Sequence, residues 1–145
     1  MEFKEAILSA DFQKAKEIAS HKNMDAESLM DNLFLIAYEE GSMAAYGFAN
    51  QLILEEETSE HHYLASFLLS MGLTHFEGAY PTAFYHAKRA AELSPEDLSY
   101  KEYLLFFHIL PDPLLSREEA IDIAGQILEV EPDNDSALEV LNQKK

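Results

Sequence analysis

The sequence predicts an all-α protein of about eight or nine helices packed as successive pairs. Three observations carry that expectation. Apolar residues recur at helical spacing along the whole chain, no segment sustains strand-like alternation between turn signals, and a helix with its own start and stop signals occurs twice. The stretch from Gly78 to Asp97 is the clearer copy. Gly78 and Pro81 mark its turn and start, Ala83, Ala87, Ala90 and Ala91 give a narrow face, and Ser94-Pro95 ends it. Thirty-seven residues later Ala83, Ala87, Glu92 and Pro95 recur as Ala120, Ala124, Glu129 and Pro132.

Taken in order, Glu2 to Ser9 gives a short helix, and Asp11 is the N-cap of a second, whose apolar face is Phe12, Ala15, Ile18 and Ala19. Asp25 heads a long third helix carrying Leu29, Met30, Leu33, Phe34, Ile36 and Ala37. Gly41-Ser42 closes it and caps the next. That fourth helix, Met43 to Glu56, is rich in small residues, and Ala44, Ala45, Gly47 and Ala49 allow a neighbour to approach closely. It ends in Glu55-Glu56-Glu57. Acids there oppose the helix macrodipole, which implies either a basic group brought from elsewhere or a frayed end.

A helix opening at Thr58-Ser59-Glu60 and running to Phe76 is apolar nearly all round, through Tyr63, Leu64, Phe67, Leu68, Leu69 and Met71, and is expected to be central. After Gly78 to Leu93 comes a helix around Leu98 to Leu110, ended by Pro111-Asp112-Pro113. Ser116 and Glu119 form a capping box for a helix to Val130. A last helix, about Ser136 to Leu141, is expected to face Ala137, Leu138 and Leu141 inward, with order lost over Asn142 to Lys145.

The 145 residues are read as a single domain, large enough to bury roughly two thirds of its unfolded surface. Without cysteine, the chain has no disulfide, thiolate metal site or thiol nucleophile. The start, MEFKEAILSADF, has no apolar run of signal-peptide length, and no stretch approaches the length of a membrane span, so a cytoplasmic, soluble protein is expected. Charge is the second strong signal. Against 10 basic residues stand 27 acidic ones, a net charge of −17 that would repel a phosphate backbone or an anionic membrane. Nucleic acid and membrane are therefore excluded as partner classes. The distribution is uneven: residues 1–22 balance four acids against four lysines, whereas Asn23 to Ala87 hold ten acids and no Lys or Arg. The bland reading is a solubilising surface, and the sharper one is steering of a basic partner.

The stretch GAYPTAFYHAKRAAELSP resembles the second half of a tetratricopeptide repeat, with its turn at Gly78-Ala79-Tyr80, alanines at Ala83, Ala87 and Ala90, and a closing Pro95. SREEAIDIAGQILEVEP is a second copy, with Ala120, Ala124 and Pro132 in register and Ile127 where a third small residue is usual. Fainter copies begin at Asp11-Phe12 and Gly41-Ser42-Met43. The turns at Phe12, Met43, Tyr80 and Arg117 are spaced 31, 37 and 37 residues, against about 34 in the family. The resemblance implies a right-handed α-α superhelix, a solenoid of antiparallel helix pairs. Its best-defined repeats would be 60–97 and 98–134, with faint ones at 2–24 and 25–58 and a capping helix and tail at 135–145. Two departures stand out. The family's small residue at the packing point of each first helix is missing at Met71 and His108, and the later intervals are three residues too long, which implies altered packing angles.

Catalytic, metal and cofactor sites are not expected. Glu57 and Glu60 lie beside His61 and His62, but adjacent side chains on a helix point about 100° apart and do not converge on one ion; both histidines are read as surface groups. His75 and His86, on neighbouring helices, are read as core or groove polar residues, since no HExxH pattern is present. There is no strand-turn-helix elbow for a nucleophilic serine and no glycine-rich phosphate loop, and paired acids such as Glu39-Glu40 and Glu118-Glu119 are adjacent rather than convergent. Most of the seven tyrosines are expected at core edges with a wet hydroxyl.

The resemblance also implies function: a non-catalytic protein-binding module, with a concave groove lined by the first helix of each repeat. Carried onto this sequence, the groove register falls on Asp31, Tyr38, Leu68, His75 and Glu102. An acidic, aromatic-edged groove suits a basic peptide or protein. Relatives that clamp a C-terminal carboxylate use Lys and Arg in the groove, and that partner class is excluded by their absence from 23–87. Two other readings stay open from sequence: a small acidic inhibitor or immunity-type protein masking a basic active site, and a self-associating structural protein whose apolar first helix, with Phe3, Ile7 and Leu8, meets a second copy, making a homodimer.

Overall fold

Short polar residues cap the helices wherever the sequence places them at a start. Asp11, Asp25, Thr58, Asp97, Ser116 and Asn134 each accept a hydrogen bond from a backbone N–H two or three residues ahead. The computed structural model describes residues 1–143. Among them are nine α-helices and no strand: α1 (Phe3–Leu8), α2 (Phe12–His21), α3 (Ala26–Glu40), α4 (Ala44–Glu55), α5 (Ser59–Phe67), α6 (Ala79–Leu93), α7 (Leu98–Leu104), α8 (Arg117–Val130) and α9 (Asp135–Asn142). The protein is therefore all-α. It resolves into two compact units, Met1–His86 and the residues from Ala87 onward, the division falling inside α6.

In the first unit α1 packs on α2 and α4, and α4 packs on α3 and α5. Phe48 of α4 is the hub, its ring meeting Phe3 at 6.0 Å and Phe12 at 5.7 Å in edge-on geometry. The small residues of α4 do what their size permits. A Cβ on Gly47 would lie 3.1 Å from the Phe12 ring, and Ala45 and Ala49 are fully buried. The apolar first helix, expected at the sequence level to be an open end, is covered within its own unit: Phe3 and Ile7 are buried, leaving only Leu8 partly exposed. The Glu55-Glu56-Glu57 run does find basic groups, because the Lys16 ammonium lies 2.6 Å from Glu55 and His62 lies 2.8 Å from Glu57. Hydrogen bonding from Lys16 holds the Glu55 carboxyl below its ordinary value.

The central apolar helix differs from its expected course. After Phe67 it widens into a π-helical segment, Leu68–Gly72, and stops four residues short of Phe76. A π segment carries one extra residue in its turn. Its effect is to bring Gly72, rather than Met71, against α3. A Cβ on Gly72 would stand 3.0 Å from the Cβ of Ala37, so the small residue missing at Met71 is present one position later. Gly41 closes α3 in the left-handed conformation, φ 60°, and the turn before α6 uses Gly78 at φ 83°.

The second unit packs α8 against α7 and α9. The helix expected to reach Leu110 ends at Leu104 and tightens into a 3-10 turn, Leu105–His108, which places Phe107 in the core and lets its carbonyl accept from Leu114 across the proline-rich loop. Ala120, Ala124 and Ile127 form the buried stripe of α8, and the Ser116–Glu119 capping box is complete. In α9 the inward pair is Ala137 and Val140. Leu138 and Leu141, expected inside, are partly exposed, because the helix starts at Asp135 under its Asn134 cap and its inward stripe includes Val140. Asn142 ends α9 and Gln143 caps it, its carbonyl accepting from Arg117 at 2.9 Å, so these two do not lose order, contrary to expectation; Lys144 and Lys145 lie outside the described residues. Among the described residues no helix is long and apolar enough to cross a membrane.

Candidate functional site

Of the five groove residues read from the sequence, Asp31 and Tyr38 are on α3 and His75 lies beside Gly41 at its end. Asp31 and Tyr38 stand on its exposed face with Leu35 between them, and His75 lies beyond the π-helical segment with its ring 4.4 Å from that of Phe76. The two elements meet closely. A Cβ on Gly72 would lie 3.6 Å from the Tyr38 amide nitrogen, and one on Gly41 would lie 3.5 Å from the His75 ring. Tyr38 itself stacks on Phe34 with ring centroids 5.8 Å apart, so an ordered aromatic plane faces outward there. Leu35 is 50% exposed and Tyr38 67%, so an apolar and an aromatic side chain face outward one turn apart. Met71 adds a partly exposed thioether next to Gly72. Asp31 stands one turn before Leu35 and Glu39 just after Tyr38, both exposed.

The other two groove residues are elsewhere engaged. Leu68 is fully buried at the start of the π-helical segment and is a core residue, one turn after Leu64 on the same buried face of the helix. Glu102, in the second unit, is half-buried and ties down the start of α9, accepting from Ser136 Oγ at 3.0 Å and Asn134 Nδ2 at 3.3 Å.

A second constellation went unread in the sequence. His62, read as a surface group, is only 2% exposed, and His86 only 3%. Their Nδ1 atoms are 2.9 Å apart. Beyond them the chain continues both ways, from His62 Nε2 to Glu57 Oε2 at 2.8 Å and from His86 Nε2 to the Tyr46 hydroxyl at 2.9 Å. The path therefore runs from the turn before α5, through α5 and α6, to α4. Tyr85 sets its ring edge-on to both imidazoles. With Glu57 ionised and both imidazoles neutral, the line has one consistent set of tautomers. His62 donates from Nε2 to Glu57, His86 donates from Nδ1 to His62, and Tyr46 donates to His86 Nε2. Burial, reinforced by the neighbouring His62, pulls the His86 imidazole down from 6.5 to about 4. Burial, with Tyr85 adding to it, raises the Tyr46 phenol, which keeps that hydroxyl a donor. His61 turns the other way, to the Glu56 carbonyl at 2.8 Å, as helical geometry requires of the neighbour of a buried residue.

Local sequence spacing carried no sign of this pair, whose members are 24 positions apart and meet only through packing. One signal was available: on α5, His62 shares a helical face with the apolar Ala65 and Leu69, at offsets of three and seven residues. Among the described residues no group of three or more His, Asp or Glu side chains is arranged to hold a metal ion. No family model, curated protein or solved structure matches the chain.

Proposed function

We propose that the chain is a non-catalytic, tetratricopeptide-like interaction module that binds a basic peptide or protein on the face formed by α3 and the π-helical segment. The observation supporting this reading is the outward pair Leu35 and Tyr38, bracketed by Asp31 and Glu39, in a stretch of ten acids without Lys or Arg. The physical match is specific. Lys and Arg carry a long apolar stem ending in a cation; the stem lies along Leu35 and Met71, and the head meets the Tyr38 ring face or a neighbouring carboxylate. The net charge of −17 raises the encounter rate of a cationic partner and repels nucleic acid. A superhelical arrangement of helix pairs and a cytoplasmic setting belong to the same reading.

Calorimetric titration with a Lys/Arg-rich amphipathic helical peptide tests it. Binding is expected at low ionic strength, weakening steadily as salt is added. Tyr38→Ala is expected to lower the affinity about tenfold, as loss of a central aromatic anchor does. Salt-independent binding, or equal binding of a charge-reversed peptide, contradicts the proposal.

A further inference from the structure

Beside the exposed pair Leu35 and Tyr38, the surface of α3 carries a run of aromatic rings that crosses to α5. The two segments run parallel: Phe34 meets Phe67, and further along both, Gly72 lies against Ala37 and the backbone of Tyr38. On each helix an acid is followed by rings three and seven residues later, Asp31 by Phe34 and Tyr38, Glu60 by Tyr63 and Phe67. Those offsets keep an acid and two rings on one side of a helix. The contact between Phe34 and Phe67 joins the two sets into one ladder, Tyr38–Phe34–Phe67–Tyr63, with successive ring centroids 5.8, 5.6 and 6.2 Å apart. Tyr38 is exposed and the other three rings are half-buried, while Asp31 and Glu60 are both exposed.

We propose that this ladder makes the face selective for arginine over lysine, so that the partner is a peptide or protein segment whose cations are guanidinium groups; the inference rests on the reading of this face as a docking site for a basic peptide. Charge by itself draws either cation, since residues 23–87 hold ten acids and no Lys or Arg. The rings add a demand on shape. A guanidinium is flat and weakly hydrated, and it stacks on an aromatic face while the N–H groups in its plane bond a carboxylate beside the ring. An ammonium is a compact, strongly hydrated point charge that takes the carboxylate but has no plane to stack. Asp31 and Glu60 each stand about one turn from a ring, so both parts of the guanidinium contact are offered on both helices. Leu35 and Met71 border the ladder with apolar surface, which strips water from a docked cation, the condition under which an aromatic face attracts it most.

Calorimetric titration of the full chain at low ionic strength, with two peptides of equal length, net charge and helix content whose cations are all Arg in one and all Lys in the other, tests the selection. The Arg peptide is expected to bind about tenfold more tightly. Tyr38→Leu keeps an apolar side chain and removes the ring at an exposed position, where folding is not at stake. It is expected to weaken the Arg peptide about fivefold more than the Lys peptide, and Phe67→Leu, at the middle of the ladder, is expected to do the same. In proton spectra of the complex, the arginine side-chain signals of the peptide are expected to move upfield, as they do over ring faces. Two peptides that bind within about twofold of one another overturn the selection and leave the basic-peptide reading standing, whereas two that both fail to bind remove that reading as well. An Arg preference that survives undiminished in both variants overturns the ladder as its source.

Discussion

Replacing Gly72 by alanine puts the packing of the π-helical segment to a direct trial. The added methyl would lie 3.0 Å from the Cβ of Ala37, with the Phe34 ring and the Tyr38 amide nitrogen at 3.6 Å. Carbon atoms in ordinary contact are about 3.5–4.0 Å apart, so the segment and α3 must separate by a few tenths of an ångström. Neither carbon can swing aside, because both are fixed to their backbones, and Ala37 is fully buried. Overpacking of this kind costs about 1–3 kcal/mol. The reduced freedom of the unfolded chain returns about 0.4–1 kcal/mol, leaving a net destabilisation centred on about 1 kcal/mol and reaching about 2.6 kcal/mol. Gly125 supplies the control, since a Cβ in its place in α8 meets nothing within 4 Å. There the same substitution is expected to stabilise by up to about 1 kcal/mol. Urea denaturation of the two variants reads both signs. A Gly72→Ala protein as stable as wild type would refute the close approach and, with it, the assignment of Gly72 as the packing residue of this helix pair.

Three further outcomes follow from the same structure. The buried Ser66 hydroxyl donates to the Ala83 carbonyl at 2.7 Å, and Ser66→Ala is expected to lower stability by about 1 kcal/mol in urea titration. Stability is expected to depend on pH through His86. Its folded-state value lies below the unfolded one, so its contribution is complete above about 6.5 and is lost as pH falls toward about 4, amounting to at most about 3 kcal/mol; denaturation midpoints that do not move over that range would contradict it. Ala124→Leu forces a larger side chain into the fully buried stripe of α8 and is expected to cost about 1–3 kcal/mol, measured as a drop in thermal midpoint.

Helix starts were legible because capping is local: the signals at Asp11, Asp25 and Ser116 need only the next three residues to act. The helix ends near Phe76 and Leu110 were less so. A π-helical widening at Leu68–Gly72 and a 3-10 tightening at Leu105–His108 keep the apolar pattern running while changing the hydrogen-bond ladder, so periodicity alone extends the helix too far. Leu68 is a separate case: its place in a repeat register put it in a groove, but it lies one turn after Leu64 on the buried face of the helix. Asp31 and Tyr38 share the exposed face of α3 because it is a regular helix, and His75 lies beside Gly41 at the end of α3. The histidine pair was harder to read for a different reason: the contact is made by residues 24 apart, and of the two neighbouring histidines on α5 only the apolar face shared by His62 tells which one points inward.

The most direct trial of the account is to locate the binding face itself. Backbone and side-chain resonances are followed while a Lys/Arg-rich helical peptide is added at low ionic strength. The shifts are expected to concentrate on Asp31, Leu35, Tyr38, Met71 and His75 and to fade as salt is raised. Shifts scattered evenly over the acidic surface, or confined to the second unit, would contradict a docking face on α3.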